Sequence, residues 1–200
     1  KKSFVSVVHY VFVPHNMIST HMVFNKGAHN HYDTIFCVGP HQVSELREAE
    51  IMFNLPRRDL IENGYVRLDT IASACETNPA PVLGGLLNIV IAPSWGPNGL
   101  LERGAADLVA QLLVEGFKVT VRPHWETIRQ AGDCIESLID KFNEDTNFKM
   151  VTGGSTNDLL SNAHLLISDW SGSAFSFAFG LERPVLFIDT PQKINNLDYR

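Results

Sequence analysis

The segment HLLISDWSGSAFSFAFGLERPVLFID (164–189) decides how this chain is read. An apolar run, Leu165–Ile167, stops at Ser168-Asp169-Trp170-Ser171-Gly172-Ser173, where every residue except Trp170 is small or polar. The helix-like AFSFAFG (174–180) follows, and PVLFID (184–189) is again strand-like. Strand, turn, helix and strand in so few residues make a βαβ unit, and repeated units build a parallel sheet. Ligands of such sheets bind beyond the carboxyl ends of the strands, near helix N-termini.

The same rhythm runs through the rest of the second half. LLNIVIAPS (86–94), FKVTVRPH (117–124) and FKMVTG (148–153) read as strands. Helices are expected over 99–116, 132–144 and 155–163, the first two with apolar residues at helical spacing. The predicted class is therefore α/β: a doubly wound, Rossmann-like parallel-sheet domain over 86–200. Its polar rim is made of Pro93-Ser94-Trp95-Gly96, Arg122-Pro123-His124, Gly153-Gly154-Ser155 and Ser168–Ser171. The first 75 residues are less regular. A strand-like start reaches Val13, a His-rich loop spans 13–33, TIFCVGP (34–40) is strand and turn, and a helix covers 41–53. A turn at Gly64 and a short helix fill 55–74. ETNPAPVLGG (76–85) has no period and reads as the linker. The abrupt start and finish suggest part of a longer protein, with 1–75 part of an N-terminal domain.

Composition narrows the classes. The chain is 44% hydrophobic and 19% charged, ordinary for a protein with a sizeable core. A net charge of −6 without long single-sign runs argues against general nucleic-acid binding, and offers no basic membrane patch. Cys37, Cys75 and Cys134 lie far apart without CxxC spacing, which suits a reducing, cytoplasmic setting. Nothing approaches about 18–20 consecutive apolar residues, the length of a membrane span.

Each candidate group has a plain reading beside the chemical one. A nucleophilic Ser171 would need G-x-S-x-G, and neither flanking glycine is present. A phosphate cradle fits better: Ser171, Gly172 and Ser173 open a helix, whose N–H groups and dipole favour an anion. A simple helix cap fits equally well at that point. Arg122 and His124 sit at another strand end and supply fixed positive charge and a titratable donor. Ser94 and Trp95 would pack near a base or phosphate. Asp169 is expected to orient the turn. Among the first-half histidines (His15, His21, His29, His31, His41), no spacing frames a metal site, so none is expected. His15, just beyond a strand, is the better general base, and would face a cleft if the halves close on each other. Gly39-Pro40-His41-Gln42 is read mainly as helix-start chemistry.

Taken in order, these pieces resemble a known family. Tyr32-Asp33-Thr34-Ile35-Phe36-Cys37-Val38-Gly39-Pro40-His41-Gln42, then Gly64-Tyr65-Val66-Arg67-Leu68-Asp69, Arg122-Pro123-His124, Ser168–Ser173 and Arg183-Pro184-Val185 resemble the CDP-glycerol glycerophosphotransferases. The resemblance runs from about Pro14 to Asn196. It implies a GT-B architecture, two Rossmann-like domains with the donor held mainly by the C-terminal one. It implies transfer of glycerol phosphate or a related polyol phosphate from a CDP-activated donor to a surface polymer or glycan. It implies no cofactor or metal, and work at the inner face of the cytoplasmic membrane, attached through regions outside these residues. His124, Ser171 and Ser173 match donor-diphosphate positions, and His15 the place of a catalytic histidine. The family's frequent Asp-Tyr-Ser-Ser is here Asp169-Trp170-Ser171-Gly172, with one hydroxyl displaced to Ser173. A nucleotide-sugar transferase and a non-catalytic nucleotide-binding module are the alternatives.

Overall fold

Parallel strand pairing organises the computed structural model, which describes residues 8–77, 81, 84–196 and 198. Two units emerge, Lys1–Val66 with Lys193–Arg200, and Arg67–Gln192. The expected boundary was the linker at 76–85. Residues 76 and 77 instead finish a helix, and 78–80 and 82–83 fall outside the described residues.

The first unit holds β1 (Val11–Phe12), α1 (Thr20–Val23), β2 (Thr34–Cys37), α2 (Pro40–Met52) and β3 (Asp59–Glu62). The strands lie in the order β1-β2-β3, all parallel. Pro40 starts α2, where a missing N–H costs nothing. Ile35, Cys37 and Leu46 form the core between β2 and α2, with Phe12, Val43 and Leu60 packed on it. Buried Glu50 accepts hydrogen bonds from Arg47 Nη1 (2.7 Å), Arg58 Nε (3.1 Å) and the Arg58 N–H (3.0 Å). β3 is not expected from the sequence. Its residues DLIE leave Asp59, Ile61 and Glu62 exposed on an edge strand, so no apolar period marks it.

α3 (Val66–Thr77) runs across the division. The second unit continues with β4 (Asn88–Ile91), α4 (Ala106–Val114), β5 (Lys118–Val121), α5 (Trp125–Gln130) and α6 (Gly132–Phe142). It ends with β6 (Phe148–Met150), α7 (Thr156–Ser161), β7 (Leu165–Ser168), α8 (Gly172–Gly180) and β8 (Val185–Phe187). Its five parallel strands lie in the order β6-β5-β4-β7-β8, the doubly wound class expected. Side chains alternate across the sheet, so both faces need cover. Ile89, Ile91, Val119 and Val121 pack against Leu100, Leu101, Val109, Leu138 and Phe142. Val90 and Leu166 pack with Leu160, Ala163, Ala174 and Phe177 in a second cluster. At Gly180 a Cβ would stand 2.7 Å from Ile71 Cγ2, so glycine lets α3 and α8 approach.

Two local readings change. The helix expected over 99–116 is helical only from Ala106, because Gly104 takes φ +99° and breaks the turn before it. Leu100 and Leu101 still reach the core from that irregular stretch. α5 escaped the sequence reading because six residues carry too little period.

His29 is buried among Phe12, Phe24 and Tyr32, and its Nε2 has no hydrogen-bond partner among the described residues. Burial, and then the Arg58 charge, lower its pKa from 6.5 to about 4. The unfolded chain therefore binds a proton below about pH 6.5 that the folded one refuses. His29 should make stability fall as pH drops from 6.5 towards 4. Chemical denaturation at a series of pH values checks this. Replacing His29 by Phe should flatten that part of the slope.

Candidate active site

Three loops gather where β5, β4 and β7 end, adjacent strands in the second sheet. At about 4.8 Å per strand they span roughly 10 Å, enough for a diphosphate. The strand order reverses between β4 and β7, the place where such sheets open a crevice.

Asp169 is the hub of that place. It is 3% exposed, and its carboxylate accepts hydrogen bonds from the Ser94 N–H (2.5 Å) and the Leu100 N–H (3.1 Å). The neighbouring Ser168 hydroxyl donates to the Ala92 carbonyl (2.7 Å). The loop after β4 is thus bound to the end of β7 by side chains of two successive residues. Asp169 shapes the site by taking up backbone donors.

Ser171 is the N-cap of α8, its hydroxyl accepting from the Ser173 N–H at 3.3 Å. The cap reading and the cradle reading coexist, since the capped helix still presents its N-terminal dipole beside Gly172 and half-buried Ser173. Trp170, which had no explanation from sequence, donates its indole N–H to the Thr190 carbonyl (2.8 Å). It fastens the chain after β8 to the turn after β7.

His124 caps α5. Its Nδ1 accepts from the Glu126 N–H (3.1 Å), so the neutral ring carries its proton on Nε2 and is a donor there. Trp95 stacks against the imidazole at 6.1 Å, and the ring of Trp125, the next residue, lies tilted to it at 5.9 Å. Glu102 joins the same region, accepting from the Gly96 N–H (3.3 Å) and the Thr127 hydroxyl (2.9 Å). Glu102 falls within the helix expected over 99–116, where nothing in its spacing marks it as part of this region. Arg122 spends Nη1 and Nη2 on the carbonyls of Val151, Gly153 and Gly154 and on the Thr156 hydroxyl, at 3.1–3.4 Å. It therefore braces the loop after β6. Arg183, in the last stretch that carried the resemblance, donates to the carbonyls of Ser161 (2.7 Å) and Ala163 (2.8 Å) at the end of α7.

The second unit so brings together Ser94, Trp95, Arg122, His124, Asp169, Ser171, Gly172 and Ser173 on its carboxyl-end loops. His15 belongs to the first unit. There it follows β1, exposed, with its ring edge-on to Phe24 at 6.2 Å. The other first-half histidines are spread over separate tasks. His21 Nε2 contacts the Glu45 carbonyl (2.8 Å), His41 Nε2 the Met17 carbonyl (3.0 Å), and His29 is in the core. Among the described residues, no group of three or more His, Cys, Asp or Glu comes together as a metal ion would require. A cavity of about 410 Å³ in the first unit lies at the amino ends of the strands, lined by His9, Tyr32, Asp33, Arg57 and Asp59 among others. That is the opposite end from His15.

The family model for CDP-glycerol:poly(glycerophosphate) glycerophosphotransferase matches residues 15–193. The chain belongs to this family. Its fold is similar to that of the wall teichoic acid polymerase TagF, with a TM-score of 0.52, 18% identity, and 90% of this chain on 48% of that one. It is equally similar to UDP-GlcNAc 2-epimerases. That from Neisseria meningitidis, bound to UDP-GlcNAc, gives 0.52 at 15% identity, covering 78% of this chain and 44% of that. That from Methanocaldococcus jannaschii gives 0.53 at 12%, covering 84% and 52%. The chain thus spans about half the length of these structures. No curated protein sequence matches significantly. The fold class is GT-B-like, with Rossmann-related parallel sheets. Among the described residues, no helix is long and apolar enough to cross a membrane.

If Asp169 ties the loops, its loss should cost more than a surface change. Asp169→Ala leaves the Ser94 and Leu100 N–H groups without their acceptor, at about 1–3 kcal/mol. A clear drop in the melting temperature of the second unit is expected in calorimetry. An unchanged melting temperature would remove Asp169 from the centre of the site.

Proposed function

We propose that this chain provides the donor site and the acceptor-activating base of a transferase moving glycerol phosphate, or a related polyol phosphate, from a CDP-activated donor to a surface polymer or glycan. The family match over residues 15–193 carries this reading. The loop arrangement at the ends of β5, β4 and β7 supports it.

The chemistry balances simply. An acceptor hydroxyl attacks the phosphorus of the donor's glycerol phosphate, a new P–O bond forms, and the bond to the nucleotide breaks. CMP leaves with the electron pair of that bond. His15 takes the acceptor proton as general base. His124 supplies an Nε2–H to the diphosphate, where charge grows as the nucleotide departs. The N-terminus of α8 and the Ser173 hydroxyl add donors of the same kind. Arg122 keeps the neighbouring loop in place, and Trp95 offers a flat face for the base or ribose. Asp169 holds Ser94 and the β4 loop ready for the ligand. Action at the inner membrane face would then depend on segments outside the residues given.

In the full-length protein, His124→Ala should lower turnover about 10²-fold or more, the usual effect of deleting one transition-state donor, while leaving the melting temperature near that of the parent. Unchanged turnover would refute the role given to His124. His15→Ala should be as damaging to kcat, with donor KM little altered. A panel of CDP-glycerol, CDP-ribitol and UDP-sugars identifies the donor. Turnover of a UDP-sugar alone would replace the polyol phosphate by a sugar. Thermal stabilisation by CDP or CMP without turnover of any donor would mark a binding module.

A further inference from the structure

His15 stands on a loop that has almost no secondary structure of its own, yet its backbone is held by side chains from two other places. Four successive carbonyls, those of residues 15–18, are all engaged. Tyr65, after β3, donates its hydroxyl to the His15 carbonyl at 2.7 Å. Gln42 Nε2 donates to the Ile18 carbonyl at 3.1 Å and reaches the Asn16 carbonyl at 3.5 Å. His41 Nε2 meets the Met17 carbonyl at 3.0 Å. Gln42 is 2% exposed, and its Oε1 accepts from the Val38 N–H at 3.0 Å. That bond fixes which end of the amide points at the loop. The carboxyl-end loops of all three strands in the first unit therefore meet at residues 15–18.

We propose that Gln42 is the positioning residue for His15, with His41 and Tyr65 as its partners, and that the Gly39-Pro40-His41-Gln42 segment exists to aim that imidazole. This rests on the reading of His15 as the base. The loop has separate anchors on both sides, so Gln42 is not needed merely to keep it attached. β1 pairs with β2 on one side. On the other, Glu45 accepts from the Thr20 N–H and the Thr20 hydroxyl, each at 2.6 Å. Burial pushes the Glu45 carboxyl up, but hydrogen bonds from Thr20 and Ser19 bring it below the usual carboxylate value, so it stays charged and the anchor holds at neutral pH. Between these anchors, removing the Gln42 donors releases the Asn16 and Ile18 carbonyls on the far side of His15 and loosens the hold on its ring. A base must sit within about 2.6–3.2 Å of the hydroxyl it deprotonates, so such freedom appears in turnover before it appears in binding.

The test uses the full-length protein with CDP-glycerol and a glycerol phosphate oligomer as acceptor. Gln42→Met keeps the length of the side chain and removes its donors. It should lower kcat about 10-fold or more while donor KM stays within about twofold. In a His15→Ala background the same change should add less than about twofold, since a positioning residue acts only through the group it positions. Tyr65→Phe, which deletes one hydroxyl, should lower kcat in the same sense and serves if Gln42→Met does not fold. A readout independent of the donor is the His15 ring signal in NMR. It should be a single line that broadens or shifts in Gln42→Met and Tyr65→Phe, while that of His31 stays unchanged. A damaged His15→Ala enzyme beside an unaffected Gln42→Met kcat and an unmoved His15 signal would overturn the positioning role and leave the base intact. Full loss on Gln42→Met that persists undiminished in the His15→Ala background would overturn it too. A fully active His15→Ala enzyme would instead overturn the reading of His15 as the base.

Discussion

The second unit depends on one buried carboxylate. Asp169 takes the Ser94 and Leu100 N–H groups at the point where strand order reverses, so the loop after β4 and the turn after β7 behave as one piece. A crevice at a reversal forms because consecutive connections leave the sheet on opposite faces, and nothing in the backbone alone joins its two lips. Asp169 makes that join. Ser168 repeats it one residue earlier, and Trp170 extends it one residue later to the chain beyond β8. Three neighbouring residues thus fasten the rim on which α8 presents its N-terminus.

The same logic runs through the first unit with different groups. There a buried amide, Gln42, joins the loops after β1 and β2, and a phenol from the loop after β3 completes the join. Gly64, with φ +73°, makes the turn that brings Tyr65 round to it. In each unit one buried polar side chain, Asp169 or Gln42, spends its polar atoms on the backbone of the neighbouring loops. Burial makes those bonds costly to break, since an orphaned N–H or carbonyl away from water loses its hydration without replacement. Rigidity of the loops follows from this, although the loops carry little regular structure.

Several of these assignments were open to a reader of the sequence. The βαβ rhythm from Leu86 onward, the carboxyl-end rim, and the positions of Arg122, His124 and Ser171 on it all follow from period and punctuation. Ser171 as a cap was equally legible, because the residue preferences of helix starts are local. The parts that were missed share a cause. β3 carries no apolar alternation because it is an exposed edge, and α5 is too short for a period. Glu102 falls inside the helix expected over 99–116, and Gly104 delays the start of that helix to Ala106. That the Arg122 guanidinium holds the loop after β6 was likewise not legible, since its partners lie about 30 residues away.

By itself the sequence determined the class of fold and the family, since both rest on local pattern and on the order of motifs along the chain. Only the tertiary structure decided what each polar side chain on the loops does. Asp169 and Ser94 are 75 residues apart, His15 and Tyr65 are 50 apart, and Gln42 lies 24 from Ile18. No local propensity encodes a hydrogen bond across such distances. It exists only once the parallel strands have brought their carboxyl ends to one edge, and whether a side chain binds ligand or backbone is settled there.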